Sequence, residues 1–248
     1  MGHEWEHQEQ AEVHATPEQV WEAIATGPGI DSWFMGRTQV TPGEGGAVHT
    51  DLGGFVMGST ITGWEPSRRF AYSGEPGPDG RFVAYEYLIE GRDQGSAVLR
   101  LVANGFLPGD DWETEFDAML KGGQMYFQTL LAYLTHFAGR TGTPVSAAGP
   151  IVADWPRAWQ ILREELGLSD TPAIGDQTRL VVDGLPPVDT VVDFINPHAL
   201  GLRGPDGLYR FIRGFHGPMV VGHHLFATPA SADQVSAAWR GWLGRLYG

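Results

Sequence analysis

Over residues 4–14 one parity is wholly polar and the other is apolar except at His7 and Glu9. Trp5, His7, Glu9, Ala11 and Val13 share one parity, and Glu4, Glu6, Gln8, Gln10 and Glu12 share the other. Side chains on a strand point to opposite faces with period two, so the spacing predicts a strand with an acidic outer face. His7 and Glu9 then point inward, an unusual place for two ionisable groups. Thr16-Pro17-Glu18-Gln19 has the composition of a helix start: Thr16 caps, Pro17 fits the first helical position and Gln19 closes a capping box. Val20, Trp21 and Ile24 supply its apolar stripe, Gly27-Pro28-Gly29 stops it, and residues 30–35 suit a second short helix.

Short strands follow, predicted near 37–41, 46–52, 55–64, 68–74, 81–90 and 96–104. Turn chemistry separates them at Pro42-Gly43, Gly53-Gly54, Glu65-Pro66, Pro76 to Gly80 and Gly91 to Asp93. Val83, Tyr85, Tyr87 and Ile89 share an inward parity, as do Leu99, Leu101 and Ala103. Residues 111–138 carry the clearest helical period. Trp112, Phe116, Met119, Gly123, Tyr126, Leu130, Tyr133 and Phe137 step by four and three along one face. Asp110 and Asp111 are cap candidates. Gly122-Gly123 interrupts the helical propensity, at a cost of about 1 kcal/mol per glycine relative to alanine, which points to a close approach, a kink or a space left for something else.

Residues 141–153, rich in Gly, Pro, Ser, Thr and Ala, read as a linker. A second α+β part, 154–248, opens with a helix at about 154–167. Strand-like runs follow near 178–183, 188–195, 198–203, 207–214 and 218–227, and a last helix starts near Thr228-Pro229. This part could be a shortened copy of the first. The charge also changes at the boundary: the first 140 residues hold twenty acids and eight bases, the rest ten and eight.

A net charge of −14 makes nucleic acid and anionic membranes poor partners. With Lys121 the single lysine, polybasic tails are out, and with no cysteine so are disulfides, thiol catalysis and cysteine-rich zinc sites. The polar, acidic start has no basic region followed by an apolar run, and no stretch nears ~18 uninterrupted apolar residues. A cytoplasmic protein is the expectation.

The segments Ala15 to Ile24, Asp31-Ser-Trp-Phe34, Gly45-Gly46, Gly63 to Phe70, Gly105-Phe106 and Gly122 to Leu134 are similar, in order and spacing, to a known pattern. Over residues 1–140 the chain resembles the START-like (SRPBCC) helix-grip superfamily, and within it the bacterial group homologous to activators of the heat-shock-protein ATPase. The resemblance implies an α+β helix-grip fold: a curved antiparallel sheet wrapped around a long C-terminal helix, with a cavity between them for an apolar ligand. Relatives often carry Gly-Trp where this chain has Gly122-Gly123, so an indole is missing on the pocket side.

Together with that glycine gap, the resemblance points to Trp33, Phe55, Met57, Tyr72, Tyr85, Tyr87, Trp112, Phe116, Met119, Gly123 and Phe127 as the lining, with His7 and Glu9 as polar anchors. Two plainer readings stand beside it: a filled aromatic core, and a strand edge where inward residues meet water. His3-Glu4-Trp5-Glu6-His7 matches the zinc-protease pattern, which needs a helix, whereas this segment reads as a strand. His223-His224 lies in an apolar run, where one imidazole is expected buried and the other exposed. No metal or cofactor is expected. Three functions compete: a binding protein for a small apolar molecule, a cyclase or hydratase using His7, Glu9, Tyr85 and Tyr87, and a chaperone-linked interaction module. Trp239, Trp242 and Tyr247 would suit a packing face between domains or in a homodimer.

Overall fold

The computed structural model describes residues 2–52, 54–110, 112–214, 217–227 and 231–248, with Gln94 described by its backbone alone. Two compact units divide the chain, Met1–Gly142 and Thr143–Gly248.

Unit 1 begins with β1 (His3–Val13), α1 (Pro17–Ala25) and α2 (Gly27–Ile30). A meander follows: β2 (Arg37–Val40), β3 (Ala47–Asp51), β4 (Val56–Glu65), β5 (Arg69–Gly74), β6 (Phe82–Gly91) and β7 (Ala97–Leu107), before the long helix α3 (Trp112–His136). The seven strands form one antiparallel sheet in the order β1-β7-β6-β5-β4-β3-β2. The capping box at α1 forms as predicted: Thr16 Oγ1 accepts from the Gln19 amide at 3.3 Å, and Gln19 Oε1 accepts from the Thr16 amide at 2.9 Å. The second short helix starts earlier than expected. Gly27-Pro28-Gly29 is its first turn rather than the stop before it, because Thr26 Oγ1 caps the Gly29 amide at 3.1 Å and Pro28 needs no donor there. α3 runs unbroken through Gly122-Gly123. Of its two cap candidates, Asp111 lies outside the described residues.

Unit 2 contains β8 (Thr143–Ile151), α4 (Trp155–Glu165), β9 (Gln177–Leu180), β10 (Val188–Asn196), β11 (Ala199–Gly204), β12 (Gly207–Arg213), β13 (Pro218–Leu225) and α5 (Ala232–Tyr247). Its sheet order is β8-β13-β12-β11-β10-β9. In both units the first strand pairs with the last, the strands between form a meander, and a helix ends the unit. Residues 141–153 are therefore not a linker. Their centre is β8, whose small side chains Val145 and Ala147 point inward and which pairs only with β13. Proline is tolerated on such an edge strand, which is how Pro144 and Pro150 fit. α5 is capped by Ser231, whose Oγ accepts from the Gln234 amide at 3.3 Å; the expected start at Thr228-Pro229 lies outside the described residues.

The interior of unit 2 is filled. Tyr209, Phe211, Trp239, Trp242 and Leu243 are all buried, with ring centroids 5.3–5.9 Å apart among Phe211, Trp239 and Trp242. His223 sits among them, 4.3 Å from the Trp239 ring, and its Nδ1 accepts from the Arg210 amide at 3.1 Å. Burial first, then the charges of His224 and Arg210, push its pKa well below 6.5. The expectation that one of the two adjacent histidines is exposed fails: both are buried, on a stretch of β13 that pairs with β12 on one side and β8 on the other.

One charged pair is also buried here. Arg210, 1% exposed, grips Asp193 with two parallel bonds of 2.9 and 3.0 Å. Asp193 stands at a bulge between Val192 and Phe194, and the pair lies over Gly201. A Cβ at Gly201 would come within 2.7 Å of Asp193 Oδ1 and 2.9 Å of Arg210 Nη1.

Two outcomes follow from this packing. Gly201→Ala should destabilise unit 2 by about 1–3 kcal/mol, the range for overpacking, read from its denaturant midpoint. An unchanged midpoint would remove the steric argument. His223 binds a proton near pH 6.5 when unfolded but resists it when folded, so the unfolded state then carries the extra proton. Stability should fall as pH drops below about 6.5, by up to ~1.4 kcal/mol per pH unit, and amide exchange in β12 and β13 should report it. A slope that survives His223→Gln would assign the effect elsewhere.

Candidate functional site

The site is built on the register of the unit 1 sheet. Residues directly opposite each other on antiparallel strands share a face. His7 stands opposite Ala103, Ala103 opposite Tyr85, and Tyr85 opposite Tyr72. The adjacent row runs Glu9, Leu101, Tyr87, Phe70, Trp64. Neighbouring strands lie about 4.8 Å apart, so about 10 Å of sheet, floored by Ala103 and Leu101, separates the His7–Glu9 side from the tyrosine side.

α3 closes one end of this floor. His3 stacks on Trp112 with ring centroids 4.4 Å apart, and Trp5 meets Phe116 at 5.5 Å. Farther along, Tyr126 packs on Phe34 at 4.6 Å. Between these contacts lies Gly123. A Cβ built on it, or on Gly122, meets no atom within 4 Å. Met119, one turn earlier, is half-buried.

His7 Nε2 and Glu9 Oε1 are 3.4 Å apart, an ion-pair distance that is long for an N–H···O bond. Burial raises the Glu9 pKa, and the neighbouring His7 opposes that rise. Across the floor, burial raises the pKa values of Tyr72, Tyr85 and Tyr87. Tyr72 and Tyr85 add to the shift at Tyr87, as does Glu9. These phenols therefore stay protonated and serve as donors. Tyr126 is raised by burial as well.

The deciding feature is a set of buried polar atoms with no hydrogen bond of ordinary length, two of which, His7 Nε2 and Glu9 Oε1, meet each other as an ion pair. Among the described residues of unit 1 these are Trp5 Nε1, His7 Nε2, Glu9 Oε1 and Tyr126 Oη. Native structures pair nearly all such groups, because leaving one unpaired costs about 1–3 kcal/mol. His7, Glu9 and Trp5 all face inward from β1, and Tyr126 faces inward from α3.

Not every predicted lining residue joins them. Trp33 and Phe127 are buried as fixed wall: the Trp33 indole donates to the Ala23 carbonyl at 2.8 Å, and its ring lies 6.5 Å from Tyr87. Phe55 and Met57 are corrected outward, at 68% and 39% exposed. Met57 keeps the inward parity of β4 and Phe55 directly precedes that strand, but β5 ends at Gly74 opposite Ser59, so β4 overhangs its partner there. Trp5, Tyr126 and Phe34, not among the predicted lining residues, also stand at the contacts between α3 and the rest of unit 1. The parity of β1 and the helical step 119-123-126 already placed the first two on the inner face; nothing local marked Phe34. The zinc-protease pattern lies on β1, where His3 and His7 are about 13 Å apart and cannot share a metal.

The family described as polyketide cyclase / dehydrase and lipid transport matches residues 4–131, half of the chain. The chain belongs to this family. The helix-grip resemblance read from Ala15 to Ile24 and Gly122 to Leu134 agrees with it, and the polyketide cyclase / dehydrase match covers the strands and most of the helix that build the site. No protein of curated function matches the sequence. Among solved structures, protein MLL2253 from Mesorhizobium loti is 19% identical with a TM-score of 0.46, covering 52% of this chain and 96% of its own. The Aha1 dimer from Colwellia psychrerythraea is 14% identical, with a TM-score of 0.42 and the same coverages. The di-domain ARO/CYC BexL from the BE-7585A biosynthetic pathway is 11% identical with a TM-score of 0.48, covering 98% of both chains. Among the described residues no helix is long and apolar enough to cross a membrane.

The raised pKa of Glu9 gives a signed prediction. A carboxyl that resists ionisation when folded costs stability as pH rises past its ordinary value of 4.5. Glu9→Gln should therefore raise the unfolding midpoint of unit 1 at pH 7, with the gap closing towards pH 4. A variant less stable than the parent at pH 7 would show that the carboxylate is held by a favourable partner.

Proposed function

We propose that unit 1 binds a small, largely apolar molecule with an oxygen-bearing end between its sheet and α3. The observation that carries this is the set of buried polar atoms on the inner faces of β1 and α3, Trp5 Nε1, His7 Nε2, Glu9 Oε1 and Tyr126 Oη, that make no hydrogen bond of ordinary length. The open space at Gly123 and the half-buried aromatic walls support it. Ligand sites combine such apolar walls with a few placed polar groups. The family to which the chain belongs is described in terms of both cyclase/dehydrase chemistry and lipid transport, which suits either binding alone or binding with a reaction. Unit 2, on this reading, is a shortened copy of the same design whose interior is filled by Trp239, Trp242 and Phe211, so the chain takes one ligand.

A cyclase- or hydratase-type activity is the second reading, favoured by the His7–Glu9 pair facing a row of protonated tyrosines. Glu9, assisted by His7, would take a proton from a carbon beside a carbonyl, and a tyrosine hydroxyl would donate to the carbonyl oxygen. Solvent-deuterium exchange at such a carbon of an aryl 1,3-diketone, followed by NMR, tests it. Exchange accelerated by the protein and lost in Glu9→Gln is expected. Exchange at the buffer rate would leave binding alone.

Position 123 tests the binding reading. Gly123→Ala should stabilise the chain by about 1 kcal/mol, since helix propensity gains and nothing opposes the new methyl. Gly123→Trp should fold and abolish uptake of a neutral naphthalene fluorophore. Undiminished uptake by Gly123→Trp would place the ligand elsewhere.

A further inference from the structure

We infer that the His7–Glu9 pair selects ligands whose polar end carries a neutral hydrogen-bond donor beside an acceptor, as in a primary carboxamide or an enolised 1,3-dicarbonyl. This rests on the reading that the unit 1 grip binds a small molecule. Glu9 and His7 are two residues apart on one strand, so both project from the same face. Their facing atoms, Oε1 and Nε2, are 3.4 Å apart, sealed from solvent, and among the described residues they meet no partner beyond each other.

An ionised carboxylate only accepts, and a protonated imidazole nitrogen donates. Side by side, the two present one acceptor and one donor. Their complement is a ligand edge with one donor and one acceptor at similar spacing. The charge balance narrows the class further. A ligand carboxylate would bring its charge up against the Glu9 carboxyl and supply no donor. A purely apolar ligand would leave both atoms unmet, which is the arrangement proteins avoid. A neutral edge satisfies both. Trp5 Nε1, on the same face of β1, and Tyr126 Oη, from α3, are further donors for oxygens elsewhere on the ligand.

Three probes of one shape separate the alternatives: naphthalene, 2-naphthamide and 2-naphthoate, titrated against the full chain and followed by tryptophan fluorescence and calorimetry. We expect 2-naphthamide to bind about tenfold or more tighter than naphthalene, and 2-naphthoate to bind more weakly than the amide. In the double variant His7→Leu/Glu9→Leu the amide preference should shrink to within about threefold. Replacing both partners by apolar groups spares the fold the burden of one stranded charge. Gly123→Trp should block every probe that enters the grip. Naphthalene binding as tightly as the amide, 2-naphthoate binding tightest, or a preference that survives the double variant would each overturn the selection rule while leaving the binding site standing. Failure of all three probes to bind would overturn the binding reading, and the rule with it.

Discussion

The ladder between β1 and β7 is the constraint on which the rest of unit 1 depends. Eleven consecutive residue pairs, from His3 opposite Leu107 to Val13 opposite Ala97, run without a bulge. A slip of one residue would turn every side chain of β1 to the other face. It would expose Trp5, Ala11 and Val13 and bury Glu4, Glu6 and Glu12. That penalty pins the register, and the pinned register holds His7 and Glu9 inside. Two ionisable groups are thus kept in an unfavourable place by the apolar and acidic neighbours on their own strand.

This explains why so much of unit 1 was legible in its sequence. Parity alone placed Trp5, His7 and Glu9 on β1 and Tyr85 and Tyr87 on β6, and helical stepping placed Phe116, Met119, Gly123 and Tyr126 on one face of α3. Parity gives a face, however, and not what lies over it. Phe55 and Met57 have the inward parity but stand beyond the end of β5, where no neighbour covers them. β8 was hidden for the opposite reason. Its inward side chains, Val145 and Ala147, are small and its composition is that of a turn, so only the distant partner β13 makes it a strand. The pairing of His7 with Glu9 was visible as a spacing, whereas what else surrounds the two is a matter of tertiary packing that no local pattern encodes.

The two units show one topology used in two ways. In unit 1 the long helix carries glycine where its middle passes over the sheet, and a Cβ there would meet no atom within 4 Å. In unit 2 the corresponding helix carries Trp239 and Trp242, and the rings of Phe211 and Tyr209 close the interior. On the proposed reading, the choice between a filled and an open grip lies in a few helix positions. The sheets need not change their pairing order to make it.

The cluster formed by Gly201, Arg210 and Asp193 joins three strands, β11, β12 and β10. The bidentate pair occupies the volume that any side chain at 201 would need. Losing either charge alone strands the other in a buried place, at about 3–5 kcal/mol. Filling position 201 first drives atoms into the pair. Each single step away is therefore uphill, and only a concerted change at all three positions reaches another stable packing. Over evolutionary time these residues should be inherited as a block: far apart in the gene, they would vary together or not at all.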